Sequence, residues 1–178
     1  MWDYPRPPVI RASDEQIVVV LGGVEICESS TCFRVLETSH PPTYYLPRAA
    51  FLDGALIPAR GTTPLNPRGG KPARGRVHSR GDIPRAPQFH TFCEWKGEAS
   101  YLDVVGGARV AARAAWHYPQ PHPAYAILRG HVAIYPGAMD RCLVDGELVV
   151  PQPGGFYGGW ITSAVAGPFK GSPGSRGW

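Results

Sequence analysis

Short β-branched runs closed by glycine-bearing turns recur along the chain. Val18–Leu21 meets Val24–Cys27 through Gly22-Gly23, Leu102–Val105 meets Ala108–Val110 through Gly106-Gly107, and Arg141–Val144 meets Glu147–Val150 through Asp145-Gly146. Two-residue turns of this kind need positive φ, which Gly and Asp tolerate, so each pattern predicts a β-hairpin. A helical period is scarce. One short helix is expected over Pro123–Arg129, with proline in its first turn and Gly130 at its stop, ahead of a strand over His131–Tyr135. The fold class read from these patterns is mainly β, a set of antiparallel hairpins.

The first two hairpins are each followed by a loop of aromatic and proline residues, Ser39-His40-Pro41-Pro42-Thr43-Tyr44-Tyr45 and Trp116-His117-Tyr118-Pro119-Gln120-Pro121-His122-Pro123, which hints at an internal pseudo-repeat. Residues 53–88 break the hairpin rhythm. They hold six Gly, six Pro and no aromatic residue, too little apolar area to offset ordering, so they are read as a flexible, solvent-exposed insertion. Residues 151–178 have eight Gly and four Pro but also Phe156, Tyr157, Trp160, Phe169 and Trp178. Rings of that size bury a large area, so this tail is expected to wrap the domain and dock.

Charge changes the picture in one place. The net charge of +4 is uneven: residues 53–88 carry seven Lys/Arg against two Asp, and the rest of the chain eleven against twelve acidic residues. That basic segment could attract phosphates non-specifically, yet it lacks the interleaved aromatics on which single-strand binders stack bases, so nucleic acid is disfavoured as a partner. The 178 residues, with 43% hydrophobic content and five tryptophans, suit one domain with a real core. No apolar run is long enough for a membrane helix and Met1–Pro8 shows no signal-peptide pattern, so no membrane partner and a cytoplasmic location are expected. The four cysteines, Cys27, Cys32, Cys93 and Cys142, form no Cys-x-x-Cys pair. Neither a disulfide scaffold nor a structural zinc is expected, and no metal or cofactor is assigned.

The segments WDYPRPP, VVLGGVEICESS, RVLETSHPPTYYLPR, FCEWKGEASYLDVVGG, AAWHYPQPHPAYAILRGHVAIYPGAMD and PQPGGFYGGWITSAVAGPFKG, in that order, resemble the domain-of-unknown-function 427 family, also filed as nucleotidyltransferase-like. The resemblance implies a compact β-tent type architecture, two small antiparallel sheets packed on each other, over a single domain spanning 1–178. Zinc-bearing β-tent proteins use two Cys-x-x-Cys pairs, which this chain lacks. The stretch before FCEWKG departs from the family pattern, as a lineage-specific loop or a mis-spliced segment. The family carries no established reaction to transfer.

Candidate chemistry concentrates in Thr91-Phe92-Cys93-Glu94-Trp95-Lys96-Gly97, where a thiol, a carboxylate, an ammonium and two rings share one turn. Cys93 is a candidate nucleophile with Lys96 as its local cation. Glu94 and His117 are candidate proton carriers, His117 because imidazole titrates near neutrality. Tyr44, Trp95, Trp116 and Tyr118 are candidate ligand-binding walls. The plainer reading pairs Glu94 with Lys96 at the surface and puts Cys93 and Trp95 in the core. Glu25 and Glu28 could hold magnesium for nucleotidyl transfer, but an extended chain points them to opposite faces and no phosphate loop accompanies them. The leading functional reading is a domain that binds an unknown small molecule in an aromatic-lined pocket, with or without catalysis. The alternative is a non-catalytic protein-interaction or homodimerisation module.

Overall fold

The computed structural model describes residues 3–59 and 90–175. Fourteen strands form among them: β1 (Val9–Ser13), β2 (Ile17–Leu21), β3 (Val24–Ser29), β4 (Cys32–Leu36), β5 (Thr43–Pro47), β6 (Leu56–Pro58), β7 (His90–Cys93), β8 (Gly97–Gly106), β9 (Arg109–His117), β10 (His131–Ile134), β11 (Arg141–Val144), β12 (Glu147–Leu148), β13 (Val150–Pro151) and β14 (Trp160–Ile161). Every pairing is antiparallel. An eight-stranded sheet runs β1-β4-β5-β10-β9-β8-β6, with β7 also on β8; a four-stranded sheet runs β12-β11-β2-β3; β13 and β14 make a separate ribbon. The fold is mainly β, as the hairpin pattern predicts. Among the described residues no helix is long and apolar enough to cross a membrane.

The first and third hairpins turn where their glycines predict, with Gly22 and Gly23 at φ 61° and 74°, and Asp145 and Gly146 at 49° and 80°. In the second, Gly106 still pairs with Arg109, so the turn is Gly107-Ala108, one residue later than expected. The expected helix is a 3₁₀ segment over Pro123–Leu128, two turns at most, as its short tract allows.

Two apolar layers use the large sheet. Between it and the four-stranded sheet, Ile17, Val19, Leu21 and Ile26 pack on Tyr44, Leu46, Leu102, Val104, Ala115 and Ile134. The far face of the large sheet carries Tyr45, Tyr101, Trp116, Tyr118, Tyr125 and Leu128. Because side chains alternate along a strand, β8 sends Leu102 and Val104 to one layer and Ala99 and Tyr101 to the other, which is why its sequence is apolar at consecutive positions. The sheets also meet at their turns, where a Cβ on Gly106 would stand 2.9 Å from Ile26 Cγ2 and push into the Leu21 carbonyl. Only glycine lets the two hairpins approach this closely.

Two expectations are corrected by the structure. Residues 53–59 are not a flexible insertion: β6 pairs with β8, Val105 N–H donates to Ala55 O at 2.9 Å, and Ala55 and Ala59 are buried. The rest of the segment, 60–88, lies outside the described residues. Glu25 and Glu28 do not diverge: the register shifts at Ile26, with Glu28 opposite Val18 and Glu25 opposite Val20, so a β-bulge turns both carboxylates to the same exposed side. Gln16 Nε2 donates to Glu28 at 2.7 Å, and no third ligand joins them among the described residues.

The tail docks through selected rings. Trp160 is fully buried and its Nε1–H donates to Ile134 O at 3.2 Å, while Tyr157 meets His40 edge-on at 4.9 Å and Lys170 N–H donates to Ser39 O at 3.0 Å. Phe156 stays half exposed, and Trp178 lies outside the described residues.

Candidate functional site

The Cys93–Gly97 turn joins β7 to β8, and Gly97 takes φ 96°, a conformation that favours glycine. The turn meets the loop after β9: His122 N–H donates to Lys96 O at 3.1 Å, and the Phe92 and His122 rings lie 6.3 Å apart. The two segments that the sequence marks for chemistry therefore form one corner.

Strand parity decides which side chains share it. Cys93 pairs with Gly97, Thr91 with Ala99, and Tyr101 with Trp116, which pairs with Ala133, which pairs with Tyr45. All of these face away from the four-stranded sheet. Tyr118, two residues beyond Trp116, joins them, its hydroxyl beside the Cys93 thiol and the Tyr45 hydroxyl. Trp116 Nε1–H donates to Tyr45 Oη at 3.2 Å, and Thr91 Oγ1 lies 3.0 Å from Tyr101 Oη. Burial pushes the Tyr45, Tyr118 and Tyr135 phenols well above the ordinary tyrosine value, so they stay protonated and act as neutral hydrogen-bonding groups.

Lys96 is the departure from the surface pair expected of it. It is only 8% exposed, with Nζ 6.0 Å above the Tyr125 ring, and among the described residues no carboxylate lies within ion-pair distance. Glu94 is exposed on the same turn. A largely buried lysine ordinarily pairs with a carboxylate; here the Tyr125 ring is the described neighbour of its ammonium. Cys93 and Trp95 are partly exposed beside it. The other cysteines are buried in the layer between the sheets, which raises Cys27 to about 12 and Cys32 to about 11 and pushes Cys142 up further. Cys27 and Cys142 both pair with Val19 from opposite sides, about 10 Å apart by strand spacing and beyond disulfide reach.

Two predicted site residues fall elsewhere. Tyr44 points into the layer between the sheets, 5.0 Å from the Trp160 ring, with its hydroxyl on Glu15; its neighbour Tyr45 takes the place in the corner. His117 pairs with Ser100, and so faces opposite to Trp116 and Tyr118. The structure thus brings together Cys93, Trp95, Lys96, Trp116 and Tyr118, and adds Tyr45, Tyr101 and Tyr125. The register linking Tyr45 to Trp116 is a long-range pairing that no local pattern encodes, whereas Tyr125 is legible as the ring of the short helix.

Burial lowers the pKa of both His40 and His117; Arg48 and His90 lower His117 further, and Lys170 and Arg6 oppose the Thr38 carbonyl and Glu37 at His40. The unfolded chain then binds protons that the folded chain resists, so stability falls as pH drops below the ordinary histidine value of 6.5. The melting temperature is expected to decline from about pH 7.5 to about pH 5.5, and the double variant His40→Asn, His117→Asn to flatten that slope. An unchanged slope in the double variant would assign it to other groups.

A family model described as a domain of unknown function (DUF427) matches residues 9–71 and 77–145. Every residue of the corner lies inside the matched stretches, the tail lies beyond them, and the break between them falls at 72–76, within the basic segment. No curated protein matches the chain.

Proposed function

The chain belongs to the DUF427 family, whose description assigns no reaction, and we propose that its Cys93 corner binds a small anionic molecule with a planar portion. The observation that carries this reading is Lys96, buried without a carboxylate partner among the described residues. With its stem packed in the corner and no described carboxylate paired to it, the ammonium is placed to form a charge-assisted contact with a ligand carboxylate or phosphate. Trp95 and Tyr125 supply ring faces, and the protonated Tyr118 hydroxyl supplies a neutral donor beside Cys93. The Cys93 thiol is a group in the corner able to form a covalent bond, which would bring nucleophilic chemistry to the same site. The finer assignment to small-molecule metabolism rests on this chemistry alone.

Because Cys93 is the one partly exposed cysteine among four, iodoacetamide should label it selectively in the folded protein. Benzoate is a suitable probe of the corner. It should protect Cys93 from labelling and raise the melting temperature, and Lys96→Met should weaken that protection about tenfold, the loss expected for one charge-assisted contact. Lys96→Arg keeps the charge and should retain part of it. The reading fails if anionic aromatics neither protect Cys93 nor stabilise the protein, or if Lys96→Met protects as well as the parent chain.

A further inference from the structure

On the opposite face of the large sheet, three side chains stand in one row across three strands. His90 of β7 pairs with Ser100 of β8, and Ser100 pairs with His117 of β9. Directly paired residues project to the same side, so the two imidazoles flank one hydroxyl. We propose that His90, Ser100 and His117, with Arg48 at their margin, form a binding site for the oxyanion of a small molecule, a phosphate or a carboxylate group. The row shares no residue with the Cys93 corner, so either site can fail without the other.

Proton placement is what makes this row a donor site. His90 Nδ1 lies 3.1 Å from Ser100 Oγ and 3.3 Å from Glu98 Oε1. In the imidazolium form of His90, Nδ1–H donates to Ser100 Oγ and the Glu98 carboxylate stands close by as counter-charge. In that form Nδ1 has no lone pair to take the Ser100 proton. Ser100 then accepts from His90, and its own O–H is left without an acceptor among the described residues. Ser100 is 7% exposed, a depth at which an unmatched hydroxyl proton is costly.

The surroundings match that donor with positive charge. His117 is half buried, and Arg48 and His90 both act on it as positive neighbours. Arg48 follows Pro47, the partner of His131, at the end of β5 next to β10, and forms no described ion pair. The one carboxylate in the row, Glu98, is occupied with His90 and is mostly exposed. An oxyanion placed here would receive the Ser100 hydroxyl, a His117 N–H and the Arg48 guanidinium. It would also raise the proton affinity of His117, and by linkage a protonated His117 would tighten anion binding, so binding strengthens as pH falls.

Imidazole NMR of the full chain tests this. Phosphate added at fixed ionic strength should move the His117 titration midpoint upward in a saturable way. Ser100→Ala and Arg48→Ala should each weaken that response about tenfold, as loss of one donor predicts. Arg48 is exposed, so its variant keeps the test sound if Ser100→Ala fails to fold. A larger response to phosphate than to acetate marks a phosphate-bearing ligand, and equal responses mark a carboxylate; both support the site. A His117 midpoint indifferent to both anions overturns it, as does an equal shift with chloride or a response that survives both substitutions.

Discussion

Trp160→Ala should destabilise the protein by about 3–5 kcal/mol, the range for removing a large buried ring, and lower its melting temperature by roughly 10 °C or more at this chain length. Trp160 is fully buried, stacks at 5.0 Å on Tyr44, and donates through Nε1 to Ile134 O. Its own N–H donates to Pro42 O at 2.9 Å, so the ring and the backbone fix the tail to the first aromatic-proline loop together. The alanine variant leaves both a cavity and an unpaired carbonyl on β10. Trp160→Phe refills most of the cavity and loses only the hydrogen bond, so it should cost about 1–2 kcal/mol. Thermal or urea unfolding of the three proteins gives the comparison. An alanine variant that melts with the parent would show that the tail is dispensable to the core.

That dependence also explains why a breaker-rich tail was readable as ordered. Its glycines and prolines resemble those of residues 53–88, and the rings, with a lower basic charge, separate the two compositions. The hairpins were legible for a similar local reason, since a two-residue turn with Gly or Asp is encoded within a few residues. What the sequence hides is parity over distance. Tyr44 and Tyr45 are indistinguishable as letters, yet one stacks on Trp160 and the other accepts from Trp116, because β5 pairs with β10 in one register and not the next. His117 left the Cys93 corner by the same rule, one residue from Trp116 and one from Tyr118. The bulge at Ile26, which brings Glu25 and Glu28 to one side, depends on a mismatch with β2 that no single strand reveals.

The two aromatic-proline loops, alike in sequence, serve different ends. The first receives the tail: His40 meets Tyr157, Ser39 O accepts from Lys170 N–H, and Pro42 O accepts from Trp160 N–H. The second closes on the Cys93 turn through His122 and Tyr118. Their common feature is rigid backbone presenting rings at strand ends, which suits either a tail or a ligand. The tail is therefore close kin, in its mode of contact, to the ligand proposed for the other loop.

Gly158→Ala should couple these two ends of the molecule. A Cβ at Gly158 would overlap the Trp116 indole, standing 2.8 Å from Cζ3 and closer still to Cη2. The ring has nowhere to go: Tyr135 lies 4.5 Å from it between centroids, and its Nε1–H is committed to Tyr45. Overpacking of this kind costs about 1–3 kcal/mol, and the upper end is expected where the obstacle is a rigid aromatic ring. Displacing Trp116 also shifts Tyr45, and with it the Tyr118 hydroxyl beside Cys93. The variant should therefore lose stability and, in the fraction that stays folded, change the rate at which iodoacetamide labels Cys93. Gly137→Ala is the matched control, because its Cβ would sit at 3.5 Å from Pro151, ordinary contact, with no positive φ to strain it. If Gly158→Ala loses stability while labelling of Cys93 stays at the parent rate, the tail supports Trp116 only as core and the Trp116–Tyr45–Tyr118 contacts do not transmit its position. If both change and Gly137→Ala changes neither, the docked tail sets the geometry in which Cys93 is presented.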